Sequence, residues 1–198
     1  MVNCTGCSTA SKTVGVTDRS MGIGTSAIRH IMSNSENIYF SRFRTPLVSI
    51  ERLRHLAVHI PDYAWKKVFG FTYIDLKRGS YSDFSEFDKE FSTKHKLLKI
   101  PPRSHYRWHT DAYRNVAINT ILIGNDCQTF FTSSTDEVVK DNLVEVDYSD
   151  NRSVLLDVSK QHSVLNLGPE RIVLSVGFDL PVTYNDIREY CIKRNLLE

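Results

Sequence analysis

The segment from Tyr106 to Arg114 reads YRWHTDAYR and places His109 and Asp111 two residues apart at the end of a strand-like run. His162 opens a later run of the same kind, 53 residues on. Two imidazoles and one carboxylate suit a divalent iron ion, because they can fill one face of an octahedron and leave the opposite face open for reactants. A structural zinc site would instead close all four positions with protein ligands. His-x-Asp by itself at a strand end is more often a surface turn than a ligand pair, and the chain holds seven histidines. The weight therefore falls on the residues that accompany the three.

Arg171 stands nine residues after His162 and begins the run RIVLSVGF. With side chains alternating along a strand, Arg171, Val173, Ser175 and Gly177 share one face, and Ile172, Leu174, Val176 and Phe178 share the other. The arginine thus lies on the face with the smaller residues, which leaves room for a ligand, while the bulky face can pack on a helix. A guanidinium facing inward is costly unless an anion meets it, and its planar fork suits a carboxylate. Taken alone, pairing with an internal Asp or Glu, or a strand end reaching solvent, is the commoner reason for such an arginine. Asn119 interrupts the face shared by Ala117, Ile121 and Ile123, and its amide needs partners that a bound carboxylate or the neighbouring backbone would supply. Ser175 could donate to the same carboxylate. Arg114 is a candidate for the substrate opening or a solvated turn residue, and Tyr106 more naturally fills the core than reaches a ligand.

The elements that must position these residues are short. After residue 96 eight apolar runs follow one another: 97–100, 105–109, 115–123, 127–132, 143–148, 153–158, 162–167 and 171–178. Turn residues separate them, and this spacing indicates a β sandwich or barrel. Upstream, residues 36–95 read as mainly helical support. Ser49 could cap a helix bearing Ile50, Leu53, Leu56 and Ala57, a shorter helix is expected from Pro61, and Phe84, Phe87 and Phe91 mark the core face of another. FGFTYIDL (69–76) is the one strand candidate there. Thr183 and Asp186 form a capping-box pattern that starts a closing helix over 181–198. Residues 1–35, rich in Ser, Thr and Gly, are expected to be disordered or a strap. The whole is expected to be a single domain of 198 residues.

His109-x-Asp111, then His162, then Arg171 over successive short strands resembles the 2-oxoglutarate/Fe(II) dioxygenase superfamily. The resemblance spans about residues 97–180. Its wording, WHTDAYRNVAINTIL and QHSVLNLGPERIVLSVGF, looks most like the aspartyl/asparaginyl and prolyl hydroxylase-like branch. It implies a double-stranded β-helix (jelly-roll, cupin-like) fold with Fe(II) on His109, Asp111 and His162, and 2-oxoglutarate as cosubstrate, its far carboxylate on Arg171. The implied reaction is oxidative decarboxylation to succinate and carbon dioxide, using molecular oxygen, coupled to hydroxylation of a C–H bond. The substrate would be a small molecule or an amino-acid or peptide side chain. The best-known aspartyl/asparaginyl β-hydroxylases lack the carboxylate ligand that Asp111 supplies here, which weakens transfer of their peptide substrate. Two other readings stay open: a cupin-like metal enzyme that does not use 2-oxoglutarate, against which the absence of His-x-His followed by Glu counts, and a noncatalytic β-sandwich binding module.

Composition bounds the partners. A net charge of +2 gives no strong signal for nucleic acid or an anionic membrane. The polar N-terminus lacks the apolar core of a secretory signal, and no apolar run nears the ~20 residues of a membrane span. A cytoplasmic protein is expected, with Cys4, Cys7, Cys127 and Cys191 reduced. Cys4 and Cys7 have metal-type spacing but no second pair. The lone Gly-x-Gly of Met21–Gly24 is weak evidence for a nucleotide site, and His55 and His59 read as surface or packing residues on a helix. Residues 1–45 and the loop 132–142 are the expected lids over the site.

Overall fold

The computed structural model describes residues 38–78, 82–124, 127–133, 142–148 and 152–198. Strand β1 (Phe40–Arg42) precedes helix α1 (Ile50–His59), a hairpin of β2 (Lys66–Val68) and β3 (Phe71–Leu76), and the short helix α2 (Ser85–Glu90). Eight strands follow: β4 (Thr93–Ile100), β5 (Ser104–His109), β6 (Val116–Ile123), β7 (Cys127–Thr132), β8 (Leu143–Glu145), β9 (Ser153–Asp157), β10 (His162–Asn166) and β11 (Arg171–Phe178). Helix α3 (Tyr184–Lys193) closes the chain.

Each of the eight expected runs carries one of the strands β4 to β11. They divide between two antiparallel sheets, β4, β6, β9 and β11 in the larger and β5, β7, β8 and β10 in the smaller, in the orders β9-β6-β11-β4 and β5-β10-β7-β8. This is the double-stranded β-helix. β11 is buried along its whole length because it lies between β4 and β6, with a face on each side of the sheet covered. Ile172, Leu174, Val176 and Phe178 join the main core with Leu53 and Ala57 of α1 and Ile187 and Tyr190 of α3. The opposite face, with Arg171 and Val173, looks into the space between the sheets. The capping box of Thr183 and Asp186 is formed, each residue satisfying the other's backbone N–H.

The expected largely helical N-terminal half is not found. In the described part of residues 36–95, β1 extends the larger sheet beyond β9, and β3 and β2 extend it beyond β4, giving seven strands in all. A sheet edge leaves backbone N–H and C=O groups unpaired, and these flanking segments pair with it instead of coiling. The helix expected from Pro61 is only a 3-10 turn, Asp62–Ala64. The Phe84–Phe91 helix shrinks to α2, although Phe84 and Phe87 are buried as expected and Phe91 packs against the same core. Ser49 does precede α1, but its side chain caps nothing; its backbone N–H donates to Asp83 Oδ2 at 3.0 Å. The 1–35 strap, the Gly-x-Gly, the Cys4–Cys7 pair and most of the 132–142 lid lie outside the described residues.

Candidate metal centre

His109 ends β5 and His162 begins β10, and the two residues are direct partners across the ladder. The register next to them is irregular: Val164 pairs with Tyr106, so two residues of β5 (Arg107 and Trp108) face one of β10 (Ser163). Such a bulge resets the alternation of side chains. Tyr106 and His109, three apart, would point to opposite faces of a regular strand. Here their rings meet at 4.2 Å and both line one cavity.

Asp111 sits just beyond the strand, where its backbone N–H donates to Val158 O at 3.0 Å and ties the turn to the end of β9. Candidate ligand atoms of His109, Asp111 and His162 all lie within 4.8 Å of one another, and these three form the one such metal-binding group among the described residues. Asp111 Oδ1 is 3.5 Å from His109 Nε2 and 4.0 Å from His162 Nε2. Neighbouring ligands on an octahedral ion with bonds of about 2.1 Å are about 3 Å apart, so a small inward movement suffices. Both histidines use Nδ1 locally, donating to Arg107 O at 2.7 Å and to Lys160 O at 2.9 Å. Each Nε2 is left facing the carboxylate, the arrangement in which both rings can serve as metal ligands.

The electrostatics favour the same state. Burial and the neighbouring charge of His109 push the pKa of His162 down to about 4, so its ring is neutral at neutral pH. Burial works against ionising Asp111, but the hydrogen bond from His109 and the charge and hydrogen bond of Arg114 outweigh it and hold the carboxyl well below its usual range. Arg114 Nε donates to Asp111 Oδ2 at 2.6 Å, and its Nη1 donates to Ser175 Oγ at 3.0 Å. This arginine crosses β11 where the strand has no side chain: a Cβ on Gly177 would stand 2.9 Å from Arg114 Cδ. Asp111 therefore presents Oδ1 to a metal while Oδ2 is occupied.

A cavity of about 90 Å³ runs from these residues to Arg171. Its polar lining includes Asn119 and Thr129, and Leu98, Ile100 and Val173 add apolar wall. Arg171 is only 1% exposed. Its Nη1 donates to Cys127 Sγ at 2.7 Å and its guanidinium carbon lies 4.8 Å from the centre of the Tyr148 ring. Among the described residues its Nε has no hydrogen-bond partner, and neither has Asn119 Oδ1. A buried cation held by a thiol and a ring face, with a donor left over, has the donor set for an anion. Gly124 (φ +81°) lets the turn after β6 pass over it, since a Cβ there would stand 3.1 Å from Arg171 Cα.

The structure thus brings His109, Asp111, His162, Asn119 and Arg171 onto one cavity. Ser175 neighbours Asn119 in the ladder, but its hydroxyl meets Arg114 and it does not line the cavity. Arg114 does line it, with its guanidinium committed to Asp111 and Ser175 rather than to solvent. Tyr106 also lines it, between His109 and Phe71. His55 and His59 stack on each other on the exposed side of α1. Sequence reasoning missed Cys127, Thr129 and Tyr148. Alternation along CQTFFT would have put Cys127, Thr129 and Phe131 on one inward face, but nothing in the sequence pairs Cys127 with Arg171.

No family model matches the chain, and no curated protein does. Solved structures do. A prolyl-4-hydroxylase of Pseudomonas putida superposes with a TM-score of 0.53 at 16% identity, over 75% of this chain and 97% of that one. An oxidoreductase of the 2OG-Fe(II) oxygenase family from Burkholderia pseudomallei gives 0.53 at 10% identity, over 77% and 89%. The chain has the fold of the 2-oxoglutarate/Fe(II) oxygenases. HygX from Streptomyces hygroscopicus, solved with nickel and 2-oxoglutarate bound, gives a TM-score of 0.52 at 10% identity over 78% of this chain and 88% of that one. Among the described residues no helix is long and apolar enough to cross a membrane.

Proposed function

We propose that the protein is an Fe(II)- and 2-oxoglutarate-dependent oxygenase that hydroxylates a C–H bond of a small molecule or of an amino-acid or peptide side chain, releasing succinate and carbon dioxide. One observation carries this reading. A three-ligand face of two imidazoles and an ionised carboxylate opens onto the same cavity as a buried arginine whose Nε is unpartnered. The first feature suits iron with free positions, and the second suits the far carboxylate of a dicarboxylate. Neither feature alone points to this cosubstrate; facing each other, they do. Fe(II) with 2-oxoglutarate supplies the oxidising power for the C–H bond when both are bound.

The chain's own residues divide the remaining work. His109, Asp111 and His162 hold the metal; Arg114, donating to Asp111 Oδ2, fixes which carboxylate oxygen is presented. Arg171 and Asn119 orient the cosubstrate, and Ser175, accepting from Arg114, helps hold that arginine on Asp111. The apolar wall of Leu98, Ile100 and Val173 flanks the Arg171 end of the cavity. No side chain is assigned as acid or base, because the reaction needs no separate proton transfer to or from the protein.

Anaerobic addition of Fe(II) and 2-oxoglutarate to the protein should give a weak visible metal-to-ligand charge-transfer band. Folded protein that takes up iron but shows no such band on adding 2-oxoglutarate would overturn the assignment.

A further inference from the structure

The contact between Arg171 and Cys127 has a consequence for the cosubstrate, given the function proposed above. A buried arginine is ordinarily held by a carboxylate, which fixes the fork and cancels its charge. Arg171 is fixed otherwise: Nη1 donates to the Cys127 sulfur at 2.7 Å, and the guanidinium lies 4.8 Å from the Tyr148 ring centre. Both holders are neutral. Cys127 is itself buried, and that burial pushes its thiol up, with the nearby guanidinium opposing, so the sulfur stays protonated at neutral pH. The arginine is 1% exposed, lines the cavity, and has an Nε without any partner. Among the described residues it is oriented but not neutralised.

We propose that Cys127 is a positioning residue for the cosubstrate: its sulfur holds the Arg171 guanidinium across the end of the cavity without cancelling the charge, so that the charge is left for the far carboxylate of 2-oxoglutarate. The position is a choice between neutral and anionic holders. An aspartate there would form an internal ion pair with Arg171 and compete with the cosubstrate for the same fork. A serine would keep the arrangement. Oxygen sits about 0.4 Å closer to Cβ than sulfur does, so the contact would lengthen to about 3.1 Å, still within hydrogen-bonding range.

The test uses the full chain loaded with Mn(II), without oxygen, and measures binding of two probes, 2-oxoglutarate and pyruvate. Pyruvate has the same chelating end but no far carboxylate. Mn(II) affinity, read by electron paramagnetic resonance, reports on the metal end and should be the same in all variants. Cys127→Asp should weaken 2-oxoglutarate binding by roughly 100-fold, the loss expected when a charged partner is withdrawn, and leave pyruvate within about twofold. Cys127→Ala, which removes the holder without adding charge, should weaken 2-oxoglutarate about fivefold, and Cys127→Ser should restore it. The Ala and Ser pair keeps the proposal testable if the Asp variant does not fold. Equal losses for both probes, or wild-type 2-oxoglutarate affinity in Cys127→Ala and Cys127→Asp, would overturn it while leaving the proposed function standing. Failure of the wild-type protein to bind 2-oxoglutarate would overturn both.

Discussion

Replacing Arg171 by methionine separates an arginine kept for a ligand from one kept for the fold. The two side chains are similar in reach and volume, so packing changes little. In the ligand-free protein the guanidinium is 1% exposed, has one sulfur acceptor and one ring face, and leaves Nε unsatisfied. The sulfur contact and the ring contact are together worth about 2 kcal/mol. The cost of keeping an unneutralised charge out of water is larger, of order several kcal/mol. Arg171→Met should therefore stabilise the ligand-free protein by about 2 kcal/mol, since exchanging buried charge for apolar contact commonly gains that much. For a chain of 198 residues this raises Tm by about 4–8 °C. The same substitution should weaken 2-oxoglutarate roughly 100-fold, because a charge-assisted carboxylate pairing of about 3 kcal/mol is lost. Differential scanning fluorimetry without ligand, and a 2-oxoglutarate titration of the metal-loaded protein, measure the two effects. A drop of several degrees in Tm with unchanged 2-oxoglutarate affinity would show that the arginine is structural and refute the reasoning.

Other outcomes test the metal end. His109→Ala and Asp111→Ala should each abolish succinate formation from 2-oxoglutarate in the absence of a primary substrate, assayed by succinate detection. Arg114→Met frees Asp111 Oδ2 from its 2.6 Å donor. Mn(II) affinity should then fall about 10- to 100-fold, the usual loss when a group supporting a ligand is removed, and isothermal titration would read it. His162 adds a pH effect to the metal-free protein. Its folded pKa of about 4 lies below the ordinary 6.5, so the unfolded chain takes up the proton first. Stability should fall as pH drops from about 6.5 toward 4, by roughly 3 kcal/mol from this residue. Urea unfolding of His162→Gln between those pH values should show a flatter slope than wild type.

The sequence by itself determined the eight-strand core and singled out the candidate residues that the fold gathers on one cavity. Alternation along RIVLSVGF separated the face of Arg171 from the face of Phe178, because a strand offers only two directions and the bulky set needs the helices. His109, Asp111 and His162 were legible as a donor set because their types are matched to one kind of ion. Upstream only β3 was legible, in the run 69–76; β1 and β2 form because sheet edges need partners, and local periodicity does not record an edge. The finer build of the site was equally a tertiary matter. The bulge opposite Ser163 turns Tyr106 and His109 to the same side, and only the pairing of β5 with β10 shows it. Arg114 reads as a turn residue until Gly177, 63 positions later, leaves it a path to Asp111 and Ser175. Cys127 reads as one buried apolar residue among many until the fold sets its sulfur on Arg171. The sequence fixes which groups are available, since that is a property of each residue. Which of them cancel and which stay unsatisfied depends on distances between strands far apart in the chain, and packing alone decides that.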